Sequence, residues 1–417
     1  MAAILGALRR NWLIFRPPVA PKQDDALKFG ILGAARITQM ALLVPARSHP
    51  EVIIYAVAAR DKARAVAYAK THGIPQVRDS YQAILDDPAI DVVYIPTPNG
   101  LHFEWALKAL AAGKHVLLEK PSTSNAEEAQ LLFRSPLLLS PEQGGQPAAA
   151  PVLMEAFHSF FVPAWRLFMA EVDRPSLVHV HARALIPSFI ARDDDIRFDY
   201  GLSGGALMDV GTYTVKAVRT VLGVEPEACV EADLQRMPPP LERCDGNFRA
   251  QFRFPGDVIG EVEGGLRGPN FSLSWPVLTV RHRAVPVTGA DVEEGTDVKR
   301  TRKVVFVNFM LAPIYHRVDI EDEFVITKEG TEEVVRKFVK RETKKAYTFR
   351  EMGEDHPGEI YWMTYRHELE QFVNRIRGRE GTGVFVSHED SIGQMRALDM
   401  VYEKSGLGLR PTSEYRP

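Results

Sequence analysis

The chain has 417 residues, 45% of them hydrophobic and 25% charged, which excludes disordered and fibrous classes and predicts a globular protein of about two domains. Its 51 basic and 54 acidic residues leave a net charge of −3, so the chain as a whole has no basic field to attract a nucleic acid or an anionic membrane. The only cysteines are Cys229 and Cys244, without a CxxC pair or a histidine cluster at metal spacing, which argues against a disulfide framework or a metal site and favours the cytoplasm.

Residues 1–27 are interpreted as an N-terminal arm that lies over the first domain. The stretch to Val19 contains no acidic residue and carries Arg9, Arg10 and Arg16, so a mitochondrial presequence is the alternative. The chain has no run of about 18 apolar residues, and a membrane-spanning helix is therefore not predicted.

Residues 28–157 contain five apolar runs that predict buried strands. The runs are Lys28–Gly33, Val52–Arg60, Val92–Pro98, His115–Pro121 and Val152–Phe157. Near-continuous apolar runs are typical of a parallel sheet that is covered on both faces. Helical patterns separate them, most clearly His102–Lys114, which Gly113 is placed to terminate. The pattern predicts a doubly wound α/β domain, with a surface loop inserted at residues 135–151.

Residues 158–417 predict a second domain built on an open, mostly antiparallel sheet. Six segments alternate, at least in part, between apolar and polar residues, as strands with one dry face do. They read LVHVHARALI, NFRAQFRF, VIGEVEGGL, VLTVRHRAV, KVVFVNFM and HRVDIEDEFVI. Two amphipathic helices, Tyr361–Arg377 and His388–Lys404, are predicted to follow the sheet.

The turn after the first strand is a candidate phosphate-binding loop. A dinucleotide fingerprint has G-x-G-x-x-G, and this turn has Gly33, Ala35 and Thr38 at those positions. The backbone of this turn, with Arg36 and Ile37, would present N–H groups at the start of a helix to a pyrophosphate. An ordinary small-residue turn is the alternative.

Arg60, at the end of the second strand, indicates the choice of cofactor. An enzyme that uses NAD typically has an acidic residue here, whereas a guanidinium can pair with the 2′-phosphate of NADP. Asp61 is predicted to be the helix N-cap, and Lys62 and Arg64 are interpreted as solvated helix charges. The sequence therefore predicts NADP.

The next two strand ends carry polar residues that a nicotinamide half-site would need. Thr97, Asn99 and His102 follow one strand, and Glu119 and Lys120 follow the next. Ligands of doubly wound sheets bind at the carboxyl ends of the strands. A surface lysine before a helix-starting proline is the alternative for Lys120.

Six motifs in this order resemble the glucose-fructose oxidoreductase, inositol dehydrogenase and rhizopine-catabolism family (Gfo/Idh/MocA). They read GILGAARI, AAR, IPTPN, LEKP, EAF and GGALMDVGTY. The stretches DDIRFDYGLSGGALMD, VNFMLAPIYH and YRHELEQFVNRIRGR are most similar to the branch with fungal NADP-dependent D-xylose 1-dehydrogenases and dihydrodiol dehydrogenases. The resemblance covers residues 28 to about 410 and implies a Rossmann domain followed by an open antiparallel sheet domain.

The resemblance implies that Lys120 lies near the nicotinamide and that Tyr213 is the catalytic acid/base. Asp209 and Tyr213 are four residues apart and would share one face of a helix. A phenol with a pKa of about 10 needs a nearby cation to act as a base at neutral pH, and Lys120 could provide it. Asp209 could bind a substrate hydroxyl or orient the lysine. A half-buried tyrosine and a helix-capping aspartate are the alternatives.

Glu155 and His158 are weaker candidates for contact with the substrate, a structural histidine being the alternative for His158. The implied activity is NADP-dependent hydride transfer from a sugar or polyol hydroxyl, such as C1 of D-xylose. Trans-dihydrodiol oxidation is an alternative within that chemistry. A non-catalytic NADP-binding regulator and an NAD-assisted glycosidase are alternatives of other classes. The resemblance also implies a homodimer.

Overall fold

The first sheet is a six-stranded parallel sheet. A computed structural model describes residues 2–139, 142–143, 146–147, 150–269, 274–288 and 293–416. The strands are β1 (Leu27–Leu32), β2 (Val52–Ala58), β3 (Gln76–Val77), β4 (Val92–Ile95), β5 (His115–Leu118) and β6 (Leu153–Glu155). Their spatial order is β3-β2-β1-β4-β5-β6, and every pair is parallel. The predicted doubly wound sheet is confirmed, and the two-residue strand β3 is an addition to it.

Helices cover this sheet because the strands are apolar on both faces. Phe29, Ile31, Val93 and Leu118 are completely buried. The helices are α2 (Val44–Arg47), α3 (Lys62–His72), α4 (Tyr81–Leu85), α5 (His102–Ala111) and α6 (Ala126–Phe133). Beyond α5 the chain reverses at Gly113, whose φ is +70°, as expected for a glycine that ends a helix.

The second sheet has nine strands within the part of the chain that the structure describes. They are β7 (Leu177–Pro187), β8 (Ala228–Arg236), β9 (Asp245–Phe254), β10 (Val258–Gly268), β11 (Val277–His282), β12 (Val285–Pro286), β13 (Thr296–Val307), β14 (Arg317–Lys328) and β15 (Val334–Lys344). The order is β8-β9-β10-β7-β11-β13-β14-β15, with β12 paired to β13. All pairs are antiparallel except β7 with β10, so the predicted mostly antiparallel sheet is confirmed.

The strands β8, β12 and β15 are additions to the six that the pattern predicted. β8 and β15 are the two edges of the sheet, and most of their residues are exposed or half-buried. An edge strand with little buried surface need not alternate between apolar and polar residues, and sequence patterning therefore misses it.

The helices of the second half join the two domains. They are α7 (Pro163–Ala170), α8 (Thr212–Leu222), α9 (Thr364–Ile376) and α10 (His388–Ser405). Helix α8 packs on β7 and β10 of the second sheet, while α10 contacts α8, β8 and also α6 of the first domain. The predicted helices Tyr361–Arg377 and His388–Lys404 correspond to α9 and α10.

The N-terminal arm contacts both domains. It begins with α1 (Ala2–Phe15), whose Arg10 donates to the Ile314 carbonyl at 3.2 Å and stacks on the Tyr347 ring. Farther along, the Ala20 amide donates to the Arg47 carbonyl of the first domain. None of the described helices combines the length and apolar character needed to cross a bilayer. The predicted loop at 135–151 lies largely outside the described residues.

The C-terminal segment also connects the two domains. Arg410 is 1% exposed, and its guanidinium donates to the carbonyls of Gly204 and Arg243 in the second domain at 2.9 and 3.0 Å. The Arg410 carbonyl in turn accepts from the Asn125 side chain of the first domain at 3.1 Å. This segment therefore fixes the loop that leads into α8 against the first sheet.

Candidate active site

The glycine-rich turn lies at the carboxyl end of β1. Gly33 has a φ of +119°, and its amide donates to the Ala58 carbonyl of β2 at 2.7 Å. A positive φ of this size favours glycine. Ala35 and Ile37 are half-buried, and Arg36 is exposed. The accessible part of the turn is therefore residues 35–37, between buried Ala34 and buried Thr38.

The helix after this turn differs from the regular one that was expected. Helical residues begin at Ile37, but a π-helical turn, Gln39–Leu43, precedes α2. Thr38, at the position of the third glycine, is completely buried. Its side chain thus contributes to the packing between the turn and the core.

The end of β2 places Arg60 at the surface beside the turn. Asp61 is the N-cap of α3, as predicted, and accepts from the Arg64 amide at 3.2 Å. Arg64 is more than a solvated charge, because its guanidinium donates to the Ala34 carbonyl at 2.9 Å. Lys62 forms an exposed ion pair with Asp79. Arg60 and Arg64 thus flank the turn, and Arg64 holds it in place.

Tyr81, which the sequence analysis missed, also lines the turn. Its hydroxyl oxygen is 3.6 Å from the place where a Cβ atom on Gly33 would lie. Burial raises the pKa of this phenol, although the charge and the amide of Arg60 oppose the shift. An aromatic residue in a short amphipathic helix carries no signal of this kind in the sequence.

The end of β4 carries a polar atom that lacks a hydrogen-bond partner among the described residues. Thr97 is 7% exposed, and its hydroxyl oxygen is buried without a hydrogen-bond partner among the described residues. A buried hydroxyl in this state is costly unless a ligand or water satisfies it. Together with the Gly33 turn and the exposed Arg60, it fits a dinucleotide along the carboxyl edge of the sheet. Asn99, half-buried, donates to the Ser203 carbonyl at 3.1 Å.

His102 is buried beside the carboxyl edge of the first sheet and contacts two of its strand ends. It is completely buried, and its ring nitrogens lie 2.8 Å from the carbonyl oxygens of Pro121 and Thr97. Burial lowers its pKa to about 4. Both nitrogens face backbone carbonyls, so His102 supports the two strand ends, and its contact with a cofactor stays a prediction.

Glu119 is similarly enclosed. Its carboxylate accepts from the Tyr94 hydroxyl at 2.6 Å and from the Lys120 amide at 3.3 Å. Burial raises the pKa of this carboxyl group, and the hydrogen bond from Tyr94 only partly offsets the shift. Glu119 therefore fixes the start of the Lys120 loop.

Lys120, Asp209 and Arg197 form a chain of charges that links the domains. The Lys120 ammonium donates to the carboxylate of Asp209 at 2.8 Å and to its carbonyl at 3.1 Å. The Arg197 guanidinium donates to the other carboxylate oxygen at 2.8 Å. Burial would raise the pKa of Asp209, but the two cations outweigh it and hold the value at about 2. Asp209 is therefore ionised at any physiological pH.

Two features of this charge chain were not anticipated. The sequence analysis did not single out Arg197, which lies in the DDIRFDY segment beside Asp194 and Asp195. Asp209 belongs to a π-helical turn, Leu207–Gly211, and not to the α-helix that carries Tyr213. The π-turn continues directly into α8, and both Asp209 and Tyr213 lie against Lys120.

The phenol of Tyr213 is enclosed at the start of α8. Tyr213 is 6% exposed, and its hydroxyl oxygen lies 3.0 Å from the His158 Nε2 atom. Burial, with Tyr365 and the carboxylates nearby, raises the pKa of Tyr213 well above 10.

His158 and Tyr365 pack together around that phenol. The His158 ring is 2% exposed and lies 4.0 Å, centre to centre, from the Tyr365 ring. Burial and the charge of Lys120 lower its pKa to about 3, so the imidazole is neutral. The predicted amphipathic pattern of α9 marked Tyr365 only as a core residue.

Glu155 does not join this group. It is completely buried and accepts from the Ser122 amide at 2.7 Å. Burial raises its pKa to about 7, although Ser391, the Ser122 amide and Lys216 oppose the shift. Glu155 therefore links β6 to the loop after Lys120, and its contact with substrate stays a prediction.

The described residues contain no cluster of three histidine, cysteine or carboxylate side chains arranged for a metal ion. The site instead offers a cation paired with a carboxylate, a buried phenol and an imidazole beside the edge of the first sheet. Such groups can orient a hydroxylated substrate and move a proton at its oxygen.

The two halves of the chain match two family models. Residues 27–135 match the model described as "Oxidoreductase family, NAD-binding Rossmann fold", and residues 173–275 match "GFO/IDH/MocA C-terminal domain". Together they cover strands β1 to β5 of the first sheet and β7 to β10 of the second.

Three proteins illustrate what the chain is similar to. It is 42% identical over 199 residues to D-xylose 1-dehydrogenase (NADP(+)) 2 of Haloferax volcanii, covering 47% of this chain and 58% of that protein. It is 31% identical over 247 residues to trans-1,2-dihydrobenzene-1,2-diol dehydrogenase of Sus scrofa, covering 56% of this chain and 67% of that protein. The match thus spans less than two thirds of the xylose dehydrogenase.

The similarity of fold covers more of the chain than these sequence matches do. The crystal structure of KijD10, a 3-ketoreductase from Actinomadura kijaniata in complex with NADP and TDP-benzene, superposes with a TM-score of 0.65 at 21% identity. The superposition covers 91% of this chain and 98% of that one. At this identity the likeness shows the fold alone.

Proposed function

Because this chain belongs to the Gfo/Idh/MocA family of oxidoreductases, we propose that it is an NADP-dependent dehydrogenase of cyclic sugars. The proposed reaction oxidises the C1 hydroxyl group of an aldopyranose such as D-xylose to the lactone. The observation that carries the proposal is the meeting of Lys120, Asp209 and Tyr213 at the carboxyl edge of the first sheet.

The cofactor would lie along that edge, against the Gly33 turn, Arg60 and Thr97. When bound, its nicotinamide accepts the hydride from the carbon that carries the hydroxyl group. Arg60 favours NADP, because an exposed guanidinium can pair with a 2′-phosphate. The xylose dehydrogenase relative is itself named as an NADP(+) enzyme.

The chain's own residues would bind the sugar and move its proton. Tyr213 takes the proton of the reacting hydroxyl group. Lys120, held by Asp209, presents an ammonium that can donate to a sugar oxygen and keeps the reacting carbon in place. Arg197 keeps Asp209 oriented and extends the charged wall towards the open side of the site, since its side chain is 41% exposed. Positioning of this kind can supply much of a rate enhancement.

Trans-dihydrodiol oxidation is the second candidate. The observation that favours it is the aromatic surroundings of Tyr213, where Phe157 and His158 lie at ring-centre distances of 6.1 and 5.4 Å. An apolar, ring-lined wall suits an unsaturated six-membered diol as well as a pyranose. The similarity to the Sus scrofa enzyme agrees with this alternative.

A panel of aldoses, polyols and trans-dihydrodiols tests the proposal. Each compound is incubated with NADP or NAD, and formation of the reduced cofactor is followed by its absorbance. Turnover of an aldopyranose with preference for NADP supports the main proposal, and turnover of diols alone supports the second. An NADP-binding protein that turns over none of the compounds would be a regulator, and release of a sugar from a glycoside at constant NAD would indicate a glycosidase.

We also propose that the protein is a cytoplasmic homodimer. The face of the second sheet away from α8 carries rows of charged pairs, such as Arg249 with Glu261 on β9 and β10. A second copy of the chain could cover this broad face. Both cysteines are free, as expected in a reducing compartment. Imaging of a C-terminal fluorescent fusion would distinguish the cytoplasm from mitochondria.

A further inference from the structure

The helix α1 has one face that is fixed to the rest of the protein. Ile14 is 1% exposed and belongs to the hydrophobic core. Arg10 donates to the Ile314 carbonyl at 3.2 Å, and its guanidinium lies 3.7 Å from the centre of the Tyr347 ring. Shortly after the helix, the Ala20 amide donates to a carbonyl of the first domain at 2.9 Å. These contacts hold α1 on the surface and therefore also fix the direction of its outer face.

That outer face carries three large apolar side chains. Leu8, Trp12 and Phe15 are 63%, 59% and 49% exposed. At 3.6 residues per turn their positions fall within an arc of about 60°, and Arg10 and Ile14 lie on the other side of the helix. We call these three residues the outer stripe. A surface helix normally turns polar residues to water, and a contiguous row of exposed apolar side chains therefore indicates a contact surface.

The surroundings of the outer stripe are basic. Residues 1–23 contain four basic residues and no acidic one, so the arm is locally cationic although the whole chain has a net charge of −3. Arg9 and Arg16 are exposed and lie about 20° apart along one border of the stripe. The Arg16 guanidinium lies 4.1 Å from the centre of the Trp12 ring. The stripe thus combines an apolar surface with cations that can reach an anionic layer beside it.

The size and composition of the stripe favour a lipid surface over another protein. Three half-exposed side chains of this kind supply roughly 300 to 400 Å² of surface, whereas a stable protein interface buries about 800 Å² on each partner. The interfacial layer of a bilayer needs no matching shape. Tryptophan beside arginine is typical of helices that lie in this layer.

We propose that the outer stripe binds the surface of an anionic phospholipid membrane, with α1 lying in the plane of the interface. Leu8, Trp12 and Phe15 enter the boundary between the headgroups and the acyl chains, and Arg9 and Arg16 contact lipid phosphates. The cytoplasmic leaflet has the negative surface potential that such a contact requires. The inference goes beyond the proposed reaction, because it rests on the N-terminal arm alone.

The test is co-sedimentation of the full chain with lipid vesicles. One set contains phosphatidylcholine and phosphatidylglycerol in equal parts, and the other contains phosphatidylcholine alone. We expect binding to the anionic vesicles to be roughly tenfold stronger or more, because each basic residue near an anionic surface is worth about a factor of five. Added salt should weaken this binding, since it screens exposed charges. A sample without vesicles controls for aggregation.

Four variants separate the outer stripe from the rest of the surface. Trp12→Gln should weaken binding to the anionic vesicles roughly tenfold or more, and Arg9→Gln about fivefold. Leu131→Gln on α6, where the side chain is 49% exposed, and Lys70→Gln, at an exposed position of α3, are the matched controls and should bind like the parent. Thermal unfolding should be unchanged in Trp12→Gln and Arg9→Gln, because both side chains are exposed.

The depth of Trp12 is a second readout. The chain has five tryptophans, and the difference between the emission of the parent and that of Trp12→Phe isolates Trp12. Lipids that carry bromine on their acyl chains should quench this emission in the anionic vesicles. Adsorption through charge alone would leave Trp12 unquenched and would contradict its insertion.

The other outcomes are equally decisive. Equal binding to both kinds of vesicle, or equal binding of Trp12→Gln and the parent, overturns the inference. A chain that stays out of the vesicle pellet also overturns it, and a lower mass of Trp12→Gln in light scattering would then identify the stripe as a contact with a second copy of the chain. None of these measurements needs turnover, so failure of the substrate panel would overturn the proposed function without affecting this inference.

Discussion

The Lys120 ammonium lies over the Tyr213 ring, 4.9 Å from the ring centre. A lysine was expected to lower the pKa of this phenol by direct proximity. The ammonium forms its ion pair with Asp209 at 2.8 Å, while the His158 Nε2 atom lies 3.0 Å from the phenol oxygen. The three residues named from the sequence are thus together, but with other contacts than their spacing suggested.

Loss of the Tyr213 hydroxyl should remove most of the activity. Removal of a general acid/base typically costs about 10² to 10⁴ in rate, and we expect Tyr213→Phe to fall in this range for kcat. Binding of NADP, measured by fluorescence titration, should be unchanged, because the turn at Gly33 is remote from the phenol. Near-normal turnover of every substrate that the parent accepts would remove Tyr213 from the catalytic role.

Lys120 and Tyr213 should act as one unit. Lys120→Met should lose a similar part of kcat, and the double variant should be little worse than either single one, as for other groups that act together. Lys70→Met, on an exposed part of α3, is the matched control. Steady-state kinetics of the four proteins decide this, since strictly additive losses would mean that the two side chains act independently.

Removal of the lysine charge should also move the alkaline rise of kcat/KM to higher pH, because a cation near a phenolate favours its ionised form. The pH profiles of the parent protein and of Lys120→Met, recorded with the same substrate, give the comparison. An alkaline rise at the same pH in both proteins would show that the cation does not control the base.

Arg60 should control the choice of cofactor. Loss of a charge-assisted contact with the 2′-phosphate costs roughly 1.5 to 3 kcal/mol, about one to two decades in affinity. Arg60→Ala should therefore weaken NADP binding to this extent and leave NAD binding nearly unchanged. Lys62→Ala, whose ammonium pairs with exposed Asp79, is the control. An unchanged preference for NADP in Arg60→Ala would contradict the assignment.

Glu155 should make the folded state less stable at alkaline pH. The pKa of Glu155 is about 7 in the folded protein against a usual 4.5. The contribution of Glu155 to the free energy of unfolding is therefore fully present below about pH 4.5 and is lost as the pH rises through 7. The loss amounts to roughly 3 kcal/mol. Denaturant unfolding at pH 5 and pH 8 should show a smaller difference for Glu155→Gln than for the parent.

Asp399, whose pKa is also about 7, contributes to the same pH window, so Glu155→Gln should remove only part of the slope. Glu127→Gln, at an exposed position of α6, should leave the slope as it is in the parent protein. Equal slopes in the parent and Glu155→Gln would mean that Glu155 ionises as freely when folded as when unfolded.

The proposed dimer is tested by light scattering at micromolar concentration. A mass near twice 46.7 kDa is expected, and a monomeric mass would exclude it. If a dimer forms through the open face of the second sheet, Arg249→Glu should weaken it, because like charges would then oppose each other at Glu261.

Local patterns were sufficient for the first sheet because its strands are buried on both faces. The Gly33 turn, the Asp61 cap and the end of α5 were likewise predictable, since each depends on a few neighbouring residues. The residues that contact the site from other segments were not predictable in this way. Tyr365 and Tyr81 come from segments that lie far from Asp209 and Tyr213 in the chain, and Arg197 lies 12 residues before Asp209. Nothing in their own neighbourhoods distinguishes the three from surface or core residues.

Burial also decided roles that residue type alone could not. His102 and Glu155 have side chains suited to binding a ligand, yet both are buried and contact backbone groups. Whether a polar side chain faces a cleft or a neighbouring loop depends on the packing of distant elements. Sequence patterning therefore located the region of the site more accurately than the function of each member.

The hydrogen bond from Arg410 to the Gly204 carbonyl has a consequence for biosynthesis. A chain is made from its N-terminus, and the first sheet can assemble while the second half is still being translated. The loop before α8 acquires its last hydrogen bonds only when residues near 410 have left the ribosome. Maturation of the site is therefore one of the latest events in folding, and a nascent chain released shortly before that point would be folded in large part but inactive.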